Sequence, residues 1–247
     1  RRYFANVNVD LMFGWAGQTA AVWEQDLATA LDLGATHLSI YSLTYEGSTV
    51  LARRERRGLI KPMAEELEVE LYHNAQAQLS GIMIQEEVSN FAKPGFAAVH
   101  NSIYWRNEFY LGLGVGAHGY LPFSEKIGRR YGFDRRLAAF HDLTWAGATL
   151  TEILDGAGVK WDPRTPADHL LELVWTGLRT KYGVDLGFVA TELGYRFAPR
   201  PAVQQALARG LMTVGDQNIL QLLPQEWFRE SAWAVEVYDS FVQHLVQ

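Results

Sequence analysis

The 247-residue sequence contains no cysteine. This absence excludes disulfide bonds, thiolate nucleophiles and metal clusters held by cysteines of this chain. It is typical of a reducing compartment, and we therefore expect a cytoplasmic protein. The sequence also has no apolar run of about 18 residues, so we expect no membrane-spanning helix and at most peripheral membrane contact.

The first residues, RRYFANVNVD, lack the apolar stretch and the cleavage site of a signal peptide. A strand pattern begins within a few residues of Arg1, without any preceding segment. We therefore expect the sequence to start inside a longer protein.

Positive charge is scarce, with 22 Lys and Arg against 28 Asp and Glu, a net charge of −6. Surfaces that bind nucleic acid depend on Lys and Arg side chains that contact phosphates. We therefore expect no nucleic-acid partner. A basic run at residues 53–57, RRERR, is interrupted by Glu55, and we interpret it as a solvent-exposed helix face.

Several common catalytic motifs are also missing: a Walker-type lysine loop, a GxSxG elbow and an HExxH pair. Gly112, Gly114 and Gly116 follow one another at two-residue spacing, but the order strand, GxGxxG, helix and downstream acid is absent. These glycines indicate only that the backbone approaches a ligand closely.

The residues that are present predict an α/β fold. Hydrophobic residues make up 48% of the chain and charged residues 20%, which is ordinary for a globular protein. A strand over Phe4–Leu11, a helix capped by Thr19 and ended by Gly34, and a strand over His37–Leu43 predict a βαβ unit with parallel strands. Helices over Thr49–Gly58 and Ala64–Ser80 and a third strand opening at Ile82–Ile84 are predicted next.

The carboxyl-terminal part differs in character, and we place a boundary in the Gly- and Pro-containing stretch from Gly147 to Pro166. The pattern predicts a helix over Asp134–Trp145 before it and, after it, helices over Ala167–Thr180, Leu186–Leu193, Ala202–Arg209 and Trp227–Leu245, with a hairpin turn at Gly215–Asn218. This order resembles a winged helix. Its acids outnumber its bases, which argues against a DNA-reading face. We predict two domains, residues 1–150 and 151–247.

The chemically densest segment runs from Glu86 to His118. His100, Asn101, Tyr104 and Trp105 place an imidazole, an amide, a phenol and an indole within six positions. A neutral imidazole can ligate a metal or haem iron and can transfer protons near neutral pH. We predict that this segment is a loop that forms the floor of a binding site. The alternative for His100 is a structural hydrogen bond beneath that loop.

Two further residues are candidates for binding. Asp10 is predicted at the carboxyl end of the first strand, where a carboxylate can accept hydrogen bonds from a ribose diol or pair with an ammonium group. The alternative is a strand-end aspartate that caps its own turn. His118 ends the glycine-rich run and can face the same cavity as His100. His37 begins a strand, and we interpret it as structural.

Five stretches together carry a family resemblance: VNVDLMFGWAGQT, HLSIYSLTYEGS, EVSNFAKPG, HNSIYW and YLGLGVGAH. They resemble the coproporphyrinogen III oxidase-like (HemN-type) radical-SAM proteins. The HNxxYW pattern from His100 to Trp105 is typical of the HemW branch, the haem chaperones. The resemblance covers nearly the whole chain and implies a partial, half β/α radical-SAM barrel followed by a small winged-helix-like α+β domain.

The resemblance also implies ligands. The family holds a 4Fe-4S cluster with three cysteines and uses it to cleave S-adenosylmethionine (SAM), but this chain contains neither CxxxCxxC nor a GGGTP-like loop. Asp10 matches the aspartate that contacts SAM, while Thr44 and His118 match SAM-site positions with different residue types. The HNxxYW residues His100, Asn101, Tyr104 and Trp105 are implied in haem binding. No catalytic residue is assigned.

The sequence departs from the family at two motifs. The family turn GLPxQT is here Gly14–Thr19 without the proline, and Glu86 stands where tyrosine is usual. Three functions remain open: haem binding and delivery to a haem-acceptor protein, oxidation of a porphyrinogen by radical-SAM chemistry, and a cluster-free fragment that acts as a binding module. Haem or porphyrin is the expected ligand in the first two.

Overall fold

The computed structural model describes residues 3–114, 116–122, 128–132, 149–156, 159–162 and 164–243. The first elements are β1 (Asn8–Phe13), α1 (Ala20–Asp32), β2 (His37–Ser42), α2 (Val50–Arg56), α3 (Glu65–Leu79), β3 (Ile84–Gln85), β4 (Asn90–Ala92) and α4 (Val99–Trp105). The next are β5 (His118–Pro122), β6 (Gly128–Gly132), α5 (Leu150–Gly156), β7 (Lys160–Trp161) and α6 (Pro166–Leu178). The last are β8 (Val184–Asp185), α7 (Leu186–Phe188), β9 (Tyr195–Phe197), α8 (Pro201–Ala208), β10 (Met212–Val214), β11 (Ile219–Leu222), α9 (Glu230–Tyr238) and β12 (Phe241–Gln243).

The predicted βαβ unit is confirmed. Strands β1 and β2 pair in parallel, from Asn8 opposite His37 to Phe13 opposite Ser42. Helix α1 joins them, and the Thr19 side chain caps it by accepting a hydrogen bond from the Val22 N–H at 3.3 Å. Its amphipathic pattern buries Trp23, whose indole N–H donates to the Leu71 carbonyl of α3 at 2.9 Å.

The predicted third strand is present as the short strand β3, and a fourth strand, β4, follows it. Residues 84–92 form a short hairpin of β3 and β4, and β4 pairs antiparallel with β2, giving the sheet order β1-β2-β4-β3. Only four residues separate β3 from β4, and a parallel crossover needs a dozen or more. The sheet is therefore mixed, and the described residues form no closed barrel.

The two faces of this sheet have opposite chemistry because strand side chains alternate. One face carries Val9, Leu11, Phe13, Leu38, Ile40 and Phe91, which pack on α1 and α3. The other face carries Asn8, Asp10, His37, Ser39 and Asn90. We call this second surface the polar sheet face.

A second core lies in the carboxyl-terminal part, where α6, α8 and α9 pack on a three-stranded sheet of order β10-β11-β8. The predicted hairpin is confirmed, since β10 and β11 pair antiparallel and Gly215–Asn218 form their turn. The winged-helix assignment stays a prediction.

Two predicted helices in this part are wrong in extent. The predicted Leu186–Leu193 helix is divided into α7 and a π-helical turn over Val189–Leu193, which ends where Gly194 adopts a φ of 74°. The predicted Trp227–Leu245 helix is a 3₁₀ turn over Pro224–Arg229, helix α9 and then strand β12. Strand β12 forms because it pairs antiparallel with β9, a tertiary contact that overrides helical periodicity.

Other predictions fall partly or wholly beyond the described residues. The predicted helix over Asp134–Trp145 lies outside them, as do residues 244 and 245. The division at residue 150 stays a prediction, and strands from both sides of it share one sheet, because β7 pairs with β6. Within the described ranges, no helix is long and apolar enough to cross a membrane.

The α1 contact with the sheet predicts a large stability difference between two leucines. Leu27 is fully buried and Leu33 is 70% exposed. Because Leu27→Ala removes buried methyl groups and leaves a cavity, we expect it to lower the free energy of unfolding by about 2–5 kcal/mol. Leu33→Ala is the matched control, with a change within about 0.5 kcal/mol. Urea unfolding followed by circular dichroism measures both, and equal effects would contradict this packing.

Candidate functional site

The HNxxYW segment is a helix, not the predicted loop. After the turn at Pro94–Gly95, residues Val99–Trp105 form α4. Residues four apart in a helix share a face, so the motif divides into two pairs. His100 and Tyr104 form the outer pair, and Asn101 and Trp105 form the inner pair.

The outer pair is held together by a hydrogen bond. The Tyr104 hydroxyl lies 2.8 Å from His100 Nε2, and the two rings meet edge to face with centroids 4.7 Å apart. Tyr104 in turn packs edge to face on Tyr110 at 4.5 Å. The His100 imidazole is exposed. It is therefore both oriented and accessible to a ligand.

The inner pair faces the polar sheet face. Asn101 and Trp105 line a small cavity together with His37 and Asn90. The Arg179 guanidinium lies 4.1 Å from the centroid of the Trp105 ring. One face of this indole is therefore covered by the guanidinium at the end of α6.

Arg179 joins three parts of the protein. Its Nη2 lies 3.0 Å from Oε2 of Glu87, and its Nη1 lies 3.9 Å from Oε1 of Glu230. Glu87 is only 2% exposed and also accepts a hydrogen bond from Asn90 Nδ2. Burial raises the pKa of the Glu230 carboxyl, while Arg179 acts in the opposite direction.

His37 is a buried, titratable residue of the polar sheet face. It is 4% exposed, and its Nδ1 lies 2.6 Å from Asn8 Oδ1. Asn8 Nδ2 donates to Asp10 Oδ1 at 2.7 Å. Burial lowers the pKa of His37, although Asp10, Glu86 and Glu87 partly offset that effect. His37 is therefore neutral near pH 7.

The three residues matched to a SAM site do not meet in one cluster. Asp10 lies in the middle of β1 rather than at the predicted carboxyl end, and its side chain is exposed on the polar sheet face. Thr44 is exposed two residues beyond β2, beside the end of β1. His118 lies in the separate sheet of β5, β6 and β7, and no hydrogen bond or ring contact among the described residues joins it to the other two.

The glycine run approaches its own chain. A Cβ at Gly112 would overlap the His118 carbonyl group, and the Tyr131 hydroxyl lies 2.9 Å from both the N and the O of Gly112. The close backbone approach predicted from the sequence is therefore real at Gly112, but its partner is strand β5 and the Tyr131 side chain.

A larger cavity of about 300 Å³ opens beside the end of α4. It lies between α4, α6 and residues 182–193, and its aromatic lining includes Trp105, Tyr120, Tyr182 and Phe188. His169 of α6 also lines it, and burial together with nearby Arg164 lowers the pKa of that imidazole. This volume is at the lower end of the range for small-molecule sites.

The donors present do not fit an iron–sulfur cluster. The chain contains no cysteine, and such clusters are held by thiolates. Within the described residues, no group of three or more His, Asp and Glu side chains is arranged to hold a metal ion. The exposed imidazole of His100 does fit an axial ligand of haem, which needs one nitrogen donor from the protein.

Known proteins similar to this chain were found by sequence and by fold. No family model matches the chain. "Heme chaperone HemW" of Bacillus subtilis is 44% identical over 119 residues, which are 48% of this chain and 31% of that protein. "Heme chaperone HemW" of Synechocystis is 34% identical over 180 residues, 72% of this chain and 41% of that protein.

The fold comparison agrees with these sequences. The solved structure of coproporphyrinogen III oxidase (HemN) from Escherichia coli, described as a radical SAM enzyme, superposes with a TM-score of 0.60 at 16% identity. The match covers 95% of this chain and 56% of that structure. The chain belongs to the HemW-like radical-SAM family.

The HemW-like chain spans less than half the length of the two chaperones above. This partial coverage is consistent with the carboxyl-terminal part of such a protein. Two residues at this site, His37 and Glu87, are not among the site residues predicted from the sequence. The parallel register of β1 and β2 places Asn8 opposite His37, and this register could have identified His37 from the sequence. No sequence signal identifies Glu87, because its partner Arg179 is distant in the chain.

The buried ion pair predicts a strong effect of Arg179 on stability in the HemW-like chain. Arg179→Met leaves Glu87 buried without its cation, so we expect a loss of about 3–5 kcal/mol in the free energy of unfolding. Adding Glu87→Gln to this variant should recover part of the loss. Arg200→Met, which breaks the exposed pair with Asp239, is the control and should cost about 0–1 kcal/mol. Equal losses in chemical unfolding would contradict the buried role.

His37 predicts a pH dependence of stability. Its pKa is lowered in the folded HemW-like chain, while the unfolded chain binds that proton near pH 6.5. The unfolded state binds more protons between these values, so the free energy of unfolding falls as the pH drops from about 7 through the lowered pKa of His37. We expect His37→Gln to flatten this slope and His73→Gln, on α3, to keep it. Unfolding at several pH values measures the slopes, and an unchanged slope in His37→Gln would refute the assignment.

Proposed function

We propose that this chain binds haem at α4 and passes it to a haem-acceptor protein. The observation that carries the proposal is the HNxxYW motif folded as a helix, with the oriented and exposed imidazole of His100 in its first turn and an aromatic-lined cavity at its other end. The names of the HemW relatives, at 34–44% identity, support haem as the ligand.

The hydrogen bond to Tyr104 gives His100 a defined role. Histidines that ligate metals generally donate their second ring N–H to an oxygen, which fixes the tautomer and raises ligand basicity. If His100 donates from Nε2 to the Tyr104 hydroxyl, its Nδ1 keeps a free lone pair for iron. When bound, haem supplies the iron; the chain supplies the imidazole, its orientation and an apolar surface.

The adjacent cavity suits part of a porphyrin. Aromatic side chains such as Tyr120 and Tyr182 favour flat conjugated ligands, and the basic Arg106 in the lining suits a propionate. Because the cavity holds about 300 Å³, we propose that it receives one edge of the macrocycle while the rest stays exposed. A partly exposed macrocycle suits a protein that transfers haem, because the acceptor protein can contact the exposed part.

The wider architecture is part of the proposal. We propose that residues 1–150 carry the second half of a radical-SAM barrel and residues 151–247 a winged-helix-like domain. Asp10 on the polar sheet face would contact SAM, with Thr44 beside the end of β1 in a supporting position; His118, the third residue matched to a SAM site, lies in the separate sheet of β5, β6 and β7. A 4Fe-4S cluster would need thiolates from outside this chain, so no radical step is assigned to these residues.

The competing functions have different support. Porphyrinogen oxidation is supported by the likeness to HemN, which at 16% identity shows the fold alone. A cluster-free binding module is favoured by the absence of cysteine, and it is compatible with haem binding by this chain alone.

Haem titration of the chain tests the proposal. We expect the haem absorption band to shift on binding, and His100→Ala to weaken binding at least about tenfold, because it removes the iron ligand. Tyr104→Phe keeps the ring and removes the hydroxyl, so it should weaken binding less. His73→Ala is the control, since that imidazole lies on α3 and bonds Gln76. A wild-type chain that leaves the haem band unperturbed would refute haem binding, and equal binding by His100→Ala would refute the site.

A further inference from the structure

Three buried polar atoms without hydrogen-bond partners come from residues that line one small cavity. They are His37 Nε2, Asn90 Oδ1 and Trp105 Nε1. His37 and Asn90 are each 4% exposed. Buried polar groups are nearly always paired with protein or with ordered water, and an unpaired one costs about 1–3 kcal/mol. Three such atoms around one space indicate a missing common partner. We call this space the His37 cavity.

The neighbours of each residue determine whether each of these atoms is a hydrogen-bond donor or an acceptor. His37 Nδ1 lies against Asn8 Oδ1, an amide oxygen that only accepts, so Nδ1 carries the proton and Nε2 is an acceptor. Asn90 Nδ2 donates to the Glu87 carboxylate, which leaves Asn90 Oδ1 as a second acceptor. Trp105 Nε1 carries a hydrogen and can only donate. The cavity therefore presents two acceptors and one donor.

A single water molecule matches this set. It donates two hydrogen bonds, to His37 and Asn90, and accepts one from Trp105. An ammonium group has no acceptor for the indole N–H, and a ligand hydroxyl has only one hydrogen to donate. The space within the His37 cavity is about that of one water molecule, which needs two to four polar partners to be retained.

We propose that the His37 cavity binds one buried water molecule that joins the polar sheet face to helix α4. With this water in place, a hydrogen-bonded chain runs from Asp10 through Asn8 and His37 to Trp105. His37 then acts as a positioning residue, because its unprotonated Nε2 accepts one of the two hydrogens of the water and so orients the water oxygen toward the indole N–H.

The link has a consequence for the two ligand sites. Asp10 is the residue proposed for SAM, and Trp105 belongs to the haem motif. A ligand that binds Asp10 would change the hydrogen bond between Asp10 and Asn8. Because Asn8 is also bonded to His37, the orientation of His37 would change with it. This consequence rests on the proposed function, whereas the water itself depends only on the three unpaired atoms.

Two measurements on the wild-type chain test the water. A crystal structure at about 1.5 Å should show one ordered water within hydrogen-bonding distance of His37 Nε2, Asn90 Oδ1 and Trp105 Nε1. In solution, NMR should show a cross-peak between the Trp105 indole N–H and a long-lived water, and histidine ¹⁵N shifts should show His37 protonated at Nδ1. Trp175, which is 39% exposed, provides the reference indole and should show only fast-exchanging solvent.

Two variants assign this cross-peak to its indole. Trp105→Phe removes the indole N–H and with it the cross-peak, while Trp175→Phe should leave the cross-peak intact. A dry cavity, a direct protein partner for His37 Nε2, or a His37 protonated at Nε2 would each overturn the proposal. Haem titration of the same samples distinguishes the two ideas, since the water can be present in a chain that fails to bind haem.

Discussion

The buried ion pair between Glu87 and Arg179 is the interaction on which the rest of the structure depends. Glu87 sits in the β3–β4 hairpin, while Arg179 ends α6 of the carboxyl-terminal core. A buried carboxylate is unfavourable unless a cation and hydrogen bonds satisfy it. The pair therefore fixes one arrangement of the two parts, and the Val88 N–H adds a backbone hydrogen bond to the Arg179 carbonyl at 3.0 Å.

The position of α4 follows from this constraint. The guanidinium that neutralises Glu87 also lies over the Trp105 ring, so the inner face of α4 is held where sheet and α6 meet. With Trp105 held inside, the helical repeat turns His100 and Tyr104 outward. The two pairs of the motif therefore differ in their surroundings: Asn101 and Trp105 face the polar sheet face, while His100 and Tyr104 lie on the outer face of the helix.

The sequence predicted those parts of the fold that local pattern determines. The cap at Thr19, the Trp23 and Leu27 stripe and the 215–218 turn all depend on residues close together in the chain. It failed where distant residues decide. Strand β12 exists because it pairs with β9, and β4 lies between β2 and β3 because it pairs with β2, about fifty residues earlier in the chain. For the candidate site, the HNxxYW residues were predicted from the sequence. Their division into two helix faces was not predicted, because proline and glycine at 94–95 favoured a loop.

The role of the polar sheet face also depends on residues that are distant in the chain, so it was not predicted from the sequence. His37 looked structural because a histidine that begins a strand usually is, and the structure does bury it. Its unpaired Nε2 becomes informative only when Asn90 and Trp105, more than fifty residues away, are placed around it. Burial of a histidine and a functional role for it are compatible, because the same packing that hides the ring also fixes its tautomer.

Paramagnetic broadening by ferric haem in NMR spectra of the labelled chain shows where on the chain haem binds. If haem binds at α4, the broadening will be centred on residues 98–110 and on Tyr120 and Tyr182, which line the cavity at the end of this helix. Broadening centred on α3 or on the β10–β11 hairpin, or no broadening at equimolar haem, would contradict haem binding at α4.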